Sequence, residues 1–188
     1  MVAEPDTGDL FSYRSPPRRN LHRPPRLLKH ALTLREIRRL APLRLAPQTV
    51  HVCENPRVLE AAADVGAAAA IVCTMGNPTT VTLALLDAVM ESPDVRLLYH
   101  GDFDWPGIAI ADRIMRRYHA QPWQFMAADY RWAVAQATER GTPQQPLTGR
   151  ASETPWDPAL SSAMAETATA IHEEAVIGRL LDDLRRRR

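Results

Sequence analysis

The sequence predicts an α/β fold: a Rossmann-like parallel sheet flanked by helices, with a C-terminal helical extension. Short apolar runs end at Cys53, Cys73 and Tyr99. A helical pattern follows each of them. The runs are continuous rather than alternating, as expected of strands buried on both faces of a parallel sheet.

The elements follow in order. Residues 1–31 are a basic leader rich in Pro and Arg, with little periodicity, and are expected to be irregular. Residues 32–188 are read as one domain. Thr33 precedes Leu34, Ile37 and Leu40 at helical spacing, with Glu36 three residues on, which is a capping-box helix start. The first strand runs over Thr49–Cys53, and a helix is expected from Arg57 to about Val65. Ala67–Cys73 reads as a second buried strand, and Pro78–Met90 as a helix entered through Gly76-Asn77. Val95–Tyr99 is the third strand, followed by a helix from about Pro106 to Tyr118. The sheet core is thus placed at about residues 49–130, with a further short strand over Trp123–Met126. Residues 131–147 read as a helix running into a Gly141-Thr142-Pro143 loop, and Thr154-Pro155-Trp156-Asp157-Pro158 as another break. A single helix from about Ser161 to Leu184 closes the chain.

Composition narrows the function classes. In 188 residues, 45% of them hydrophobic, no run approaches the ~20 apolar residues that cross a bilayer. No secretory signal pattern opens the chain, and a cytoplasmic protein with no membrane partner is expected. The two cysteines, Cys53 and Cys73, each end an apolar run and read as reduced buried thiols rather than a disulfide or metal pair. The net charge of +1 hides an asymmetry: residues 1–48 carry ten basic side chains against four acidic, and residues 49–130 five against ten. The arm with Arg14, Arg18, Arg19, Arg23, Arg26 and Lys29 is either a phosphate-contacting segment or a solvated tail.

Several chemistries lack their motif. Gly76-Asn77-Pro78 is no Walker loop, and no G-x-G-x-x-G fingerprint or G-x-S-x-G elbow occurs. Histidines and cysteines never fall at zinc spacing, and His51, His100, His119 and His172 are scattered.

Asp102 and Asp104 stand where the third strand gives way to a turn. Side chains at i and i+2 of an extended segment point the same way, so both carboxylates can reach one point. A hard divalent cation held by one or two carboxylates and water suits such a point. Taken alone, either Asp could instead simply cap the following helix. Glu54, ending the first strand, favours the metal reading, because ends of parallel strands open onto one crevice. Glu173 and Glu174 are added as an acidic pair on the late helix, either closing a second metal position or forming a solvated face.

Glu at the end of strand one, a glycine after strand two and Asp-x-Asp after strand three resembles the Toprim domain. That resemblance implies metal or acid–base chemistry for Glu54 and Mg²⁺ binding by Asp102 and Asp104. The strings Cys53-Glu54-Asn55-Pro56, Cys73-Thr74-Met75-Gly76-Asn77-Pro78, His100-Gly101-Asp102-Phe103-Asp104-Trp105-Pro106-Gly107 and His172-Glu173-Glu174-Ala175-Val176 resemble the C-terminal domain of the Wadjet-type JetD family. That family is related to the topoisomerase VI A subunit and works beside an SMC-like ATPase complex in defence against plasmids.

The resemblance implies a Toprim-type, Mg²⁺-dependent endonuclease that hydrolyses DNA phosphodiesters, with Glu54, Asp102 and Asp104 catalytic and Mn²⁺ an alternative cation. Its expected partners are DNA and the SMC-like subunits, with a homodimer left open. Two alternatives stand beside it: a non-catalytic, truncated subunit or interaction module of that complex, and a different Mg²⁺-dependent phosphotransfer enzyme such as a phosphatase working through an Asp nucleophile.

Overall fold

The computed structural model describes residues 32–41, 43–46 and 48–186. The irregular leader expected at 1–31, with its arginines, lies outside the described residues. The elements run α1 (Leu34–Leu40), β1 (Gln48–Cys53), α2 (Pro56–Asp64), β2 (Ala70–Cys73), α3 (Thr80–Met90), β3 (Val95–Tyr99), α4 (Trp105–Tyr118), β4 (Gln121–Pro122) and α5 (Ala127–Glu139). There follow β5 (Gln145–Pro146), α6 (Pro158–Thr167), β6 (Thr169–Ala170), a 3₁₀ turn (Glu173–Val176) and α7 (Ile177–Arg186). The result is the expected Rossmann-like arrangement of helices around a parallel sheet.

In the four-stranded sheet the order is β2-β1-β3-β4 and every pairing is parallel, while β5 and β6 pair antiparallel apart from it. The chain leaves β1 to build β2 on one side and then returns to lay β3 on the other. Between β1 and β3 the winding therefore reverses, and a crevice opens outside the carboxyl ends of those two strands. Central β1 is buried over Val50–Cys53, whereas β2, at the edge, is half-buried throughout. The second strand is thus shorter and less buried than Ala67–Cys73 had been expected to be, because only one neighbour covers it.

Local sequence sets the helix starts. The Thr33/Glu36 capping box closes α1 as its spacing predicts, with Thr33 N–H donating to Glu36 Oε2 at 2.7 Å. Asn55, Thr79, Asp104 and Asp157 cap α2, α3, α4 and α6 through their side chains. In α4, Ile108, Ala111 and Ile114 lie fully buried against the sheet; each isoleucine so buried is worth about 1.5–3 kcal/mol.

Two expectations are corrected. Trp123–Met126 is no strand: Gln124 has φ +50, which breaks extension, and the paired residues are Gln121 and Pro122. The aromatic residues of that segment instead fill the core, Phe125 stacking on Phe103 at 4.6 Å between ring centroids and on Trp156 at 5.9 Å. Nor is Ser161–Leu184 one helix. Ala168 turns left-handed at φ 53 to end α6, and the chain then pairs Gln145–Pro146 with Thr169–Ala170. An isolated antiparallel bridge joins Ile171 to Phe103. His172–Val176 therefore forms a turn against the sheet, not a helical face.

Candidate metal centre

Glu54 leaves the end of β1, and Asp102 and Asp104 leave the end of adjacent β3, so the three acids flank the reversal point of the sheet. The β3 exit is fixed by backbone pairing, with His100 N–H donating to Val52 O (2.9 Å) and Phe103 N–H to Ile171 O (2.8 Å). Asp104 is both a candidate ligand and the cap of α4, its Oδ1 accepting from Gly107 N–H at 2.6 Å. A Cβ on Gly107 would collide with the Asp102 carbonyl oxygen, so only glycine lets the Asp loop fold over the start of α4.

The turn corrected above brings a fourth residue to the loop. His172 Nδ1 lies 3.0 Å from Asp102 Oδ2, and Glu173 N–H donates to Asp102 Oδ1 at 2.8 Å. Asp102, Asp104 and His172 each offer one ligand atom, all within 4.8 Å of one another. Ligands around one cation with bonds of about 2.1 Å stand roughly 3 to 4.2 Å apart. The His172–Asp102 pair already stands at that spacing, and a small inward shift of Asp104 would bring all three donors onto a single divalent ion.

Glu54 lies beside this cluster, its Oε2 accepting from Asp102 N–H at 3.4 Å. Burial first, and then the charge of Asp102, push its carboxyl up to about 7. Burial likewise raises Asp102 above the usual carboxylate range, against the hydrogen bonds from Glu173 N–H and His172 that lower it. At His172 burial acts downward, but the hydrogen bond and charge of Asp102 outweigh it and the imidazole titrates above its ordinary value.

A Cβ on Gly101 would stand 3.0 Å from the Tyr99 hydroxyl and 3.1 Å from Glu54 Oε2, so glycine keeps a small gap open between the two oxygens. The Tyr99 hydroxyl is fully buried without a hydrogen-bond partner, and burial raises its pKa well above the ordinary value. An orphaned hydroxyl of this kind is expensive unless water or an ion shell meets it.

Glu173 and Glu174 take other places. Glu173 is fully buried, and its carboxylate accepts from Glu54 N–H (3.0 Å) and from Asn55 N–H. Burial drives its pKa well up in spite of those bonds. Glu174 is exposed and accepts from Asn55 Nδ2 at 2.5 Å. Glu173 lies beside Glu54 and Glu174 beside Asn55, but neither belongs to the three-donor group. The sequence offers His172 only as one of several scattered histidines and as the first residue of the His172–Val176 string, and its neighbours Glu173 and Glu174 drew the metal reading because they are acids.

His100 is buried within the aromatic core. Its Nδ1 lies 2.8 Å from Trp123 O, and burial lowers its pKa to about 4, so it is a neutral packing residue behind the loop.

A family model described as "Protein of unknown function C-terminus (DUF2399)" matches residues 30–184. No curated protein matches the chain.

Proposed function

The chain belongs to the DUF2399 family, and from that premise and the acidic edge of its sheet we propose that it is a Toprim-type, metal-dependent DNA endonuclease. The motifs quoted above, which resemble the JetD C-terminal domain, support reading it as the nuclease part of an SMC-like anti-plasmid system. The observation that carries the reading is the convergence of Glu54 with Asp102 and Asp104 at the ends of adjacent parallel strands, where Glu54 Oε2 takes the Asp102 N–H.

In this reading Asp102, Asp104 and His172 hold the cation, Mg²⁺ or Mn²⁺. The bound ion supplies Lewis acidity toward the phosphoryl oxygen and acidifies water. Glu54, whose carboxyl burial and the charge of Asp102 push up, can take a proton from the attacking water through Oε2. Gly101 and Tyr99 keep room for water beside that oxygen. An aspartyl nucleophile fits less well, because both oxygens of Asp102 already accept hydrogen bonds and Asp104 Oδ1 caps α4.

The proposed partners are DNA and the SMC-like ATPase subunits. No helix among the described residues is long and apolar enough to cross a membrane.

The test is cleavage of supercoiled plasmid by the purified chain in Mg²⁺ or Mn²⁺, beside Asp104→Asn, which keeps a capping side chain while removing the charge. Nicking or linearisation lost in the variant supports the reading. Absence of cleavage both alone and with the ATPase subunits removes it in favour of an interaction module, and turnover of small phosphate esters but not DNA selects a phosphatase.

A further inference from the structure

We infer that His172 is itself a ligand and that its imidazole nitrogen makes this centre prefer Mn²⁺ to Mg²⁺. The inference rests on the metal reading above and deepens it by assigning a nitrogen donor to the cation.

The backbone around His172 is held on both sides. Ile171 exchanges two hydrogen bonds with Phe103 (2.8 and 3.2 Å), and Glu173 N–H is fixed to Asp102 Oδ1. The residue between them is thereby pinned opposite the Asp loop, the preorganisation that a metal ligand requires. Its side chain is 40% exposed and so contributes little to the core. It precedes the 3₁₀ turn without making a capping hydrogen bond. Its hydrogen-bond partner is Asp102 Oδ2.

The Nδ1–Oδ2 separation is 3.0 Å. Adjacent ligands of one octahedral cation with bonds of about 2.1 Å lie about 3.0 Å apart. The two atoms can therefore serve as neighbouring ligands once the cation takes the place of the shared proton. Asp104 completes the group within the same 4.8 Å. Beneath the loop the fully buried Tyr99 hydroxyl, which lacks a hydrogen-bond partner, faces the gap at Gly101 beside Glu54, the acid whose Oε2 takes the Asp102 N–H.

Ligand type then decides the ion. Carboxylates and water suit Mg²⁺ and Mn²⁺ alike, whereas imidazole favours first-row transition ions over Mg²⁺. Two carboxylates and one imidazole make a mixed set that Mn²⁺ accepts in full.

The test is direct titration of the full chain with Mn²⁺, read by electron paramagnetic resonance with spin-echo detection of nitrogen modulation, and repeated with Mg²⁺ by calorimetry. Expected are nitrogen modulation in the unaltered protein and Mn²⁺ binding at least about tenfold tighter than Mg²⁺. His172→Gln should lose the modulation and weaken Mn²⁺ by about tenfold or more, while Mg²⁺ changes by less than about threefold. Mn²⁺ that binds, and is lost in Asp104→Asn, but shows no nitrogen modulation would overturn the inference and leave the metal reading standing. Equal weakening of both ions in His172→Gln would overturn the Mn²⁺ preference. No Mn²⁺ binding at all would remove both. The modulation in unaltered protein needs no variant, so a misfolded His172→Gln leaves the result decisive.

Discussion

The carboxylate of Glu173 accepts the backbone N–H of Glu54 across 119 residues of chain. It accepts from Asn55 N–H as well. A buried acid thus fixes the backbone that presents another acid, while its own N–H is donated to Asp102. The 3₁₀ turn, the end of β1 and the Asp loop form one hydrogen-bonded unit.

Removing that clamp has a definite cost. Glu173→Ala leaves two N–H groups unmet in a buried place, each worth about 1–3 kcal/mol. The variant should lose about 2–5 kcal/mol of stability in urea denaturation. Glu173→Gln should lose less, because the amide oxygen still accepts. Equal stability of the alanine variant and the parent would show that the clamp is not needed.

Glu54 gives the site a pH signature. Its carboxyl is raised from an ordinary 4.5 to about 7, so the folded state binds more protons than the unfolded chain between those values. That contribution is present below about 4.5 and is lost as pH rises through about 7. His100 opposes it, because its pKa is lowered from 6.5 to about 4 and its contribution is lost as pH falls through that window. The clean reading is therefore a difference: in chelator, Glu54→Gln should gain stability relative to the parent as pH rises from about 4.5 to 7. Thermal melts across that range check it, and parallel curves would contradict the assignment. The same variant should lose DNA cleavage, a trade of activity for stability.

The two glycines of the Asp loop should respond differently. Gly107→Ala drives a methyl into the Asp102 carbonyl, moves the start of α4, and should lower stability by about 1–3 kcal/mol. Gly101→Ala meets the Tyr99 hydroxyl at 3.0 Å, Glu54 Oε2 at 3.1 Å and Tyr99 Cε1 at 3.2 Å, side-chain atoms rather than backbone, so it should fold with a small shift of those side chains but close the gap between them. Cleavage and Mn²⁺ affinity should then fall more than melting temperature. A Gly101→Ala protein with full activity would show that the gap has no role.

Asp104 separates capping from metal binding. Asp104→Ala removes the bond to Gly107 N–H and should cost about 1 kcal/mol of fold stability. Asp104→Asn should keep most of that stability and still lose the cation. Chelator-referenced denaturation beside calorimetric Mn²⁺ titration distinguishes the two losses.

Elements carried by local signals were legible in the sequence. The apolar runs of β1 and β3, the Thr33/Glu36 box and the Pro at the start of α2 and α4 state their own boundaries. Glu54, Asp102 and Asp104 were legible too, because strand ends are where parallel sheets place working groups. The split of the last helix was not. Ala168 adopts φ 53 with neither Gly nor Pro to announce it, and the bridge between Ile171 and Phe103 outweighs the helical preference of an alanine-rich stretch. Only that long-range pairing brings His172 beside Asp102. Trp123 and Phe125 read as a strand because apolar runs signal burial, and burial was right while extension was not.

The bonds that join residues 54 and 55 to 173, and 102 to 172 and 173, also set an order of events during synthesis. A ribosome releases the sheet strands long before the turn that completes their edge, and contacts of such separation close late. Until His172 and Glu173 emerge, the Asp loop lacks the imidazole beside Asp102 and Glu54 lacks its backbone clamp. A nascent chain can therefore hold a largely formed sheet while remaining unable to assemble the centre, so any cutting activity would be withheld until translation has passed that turn.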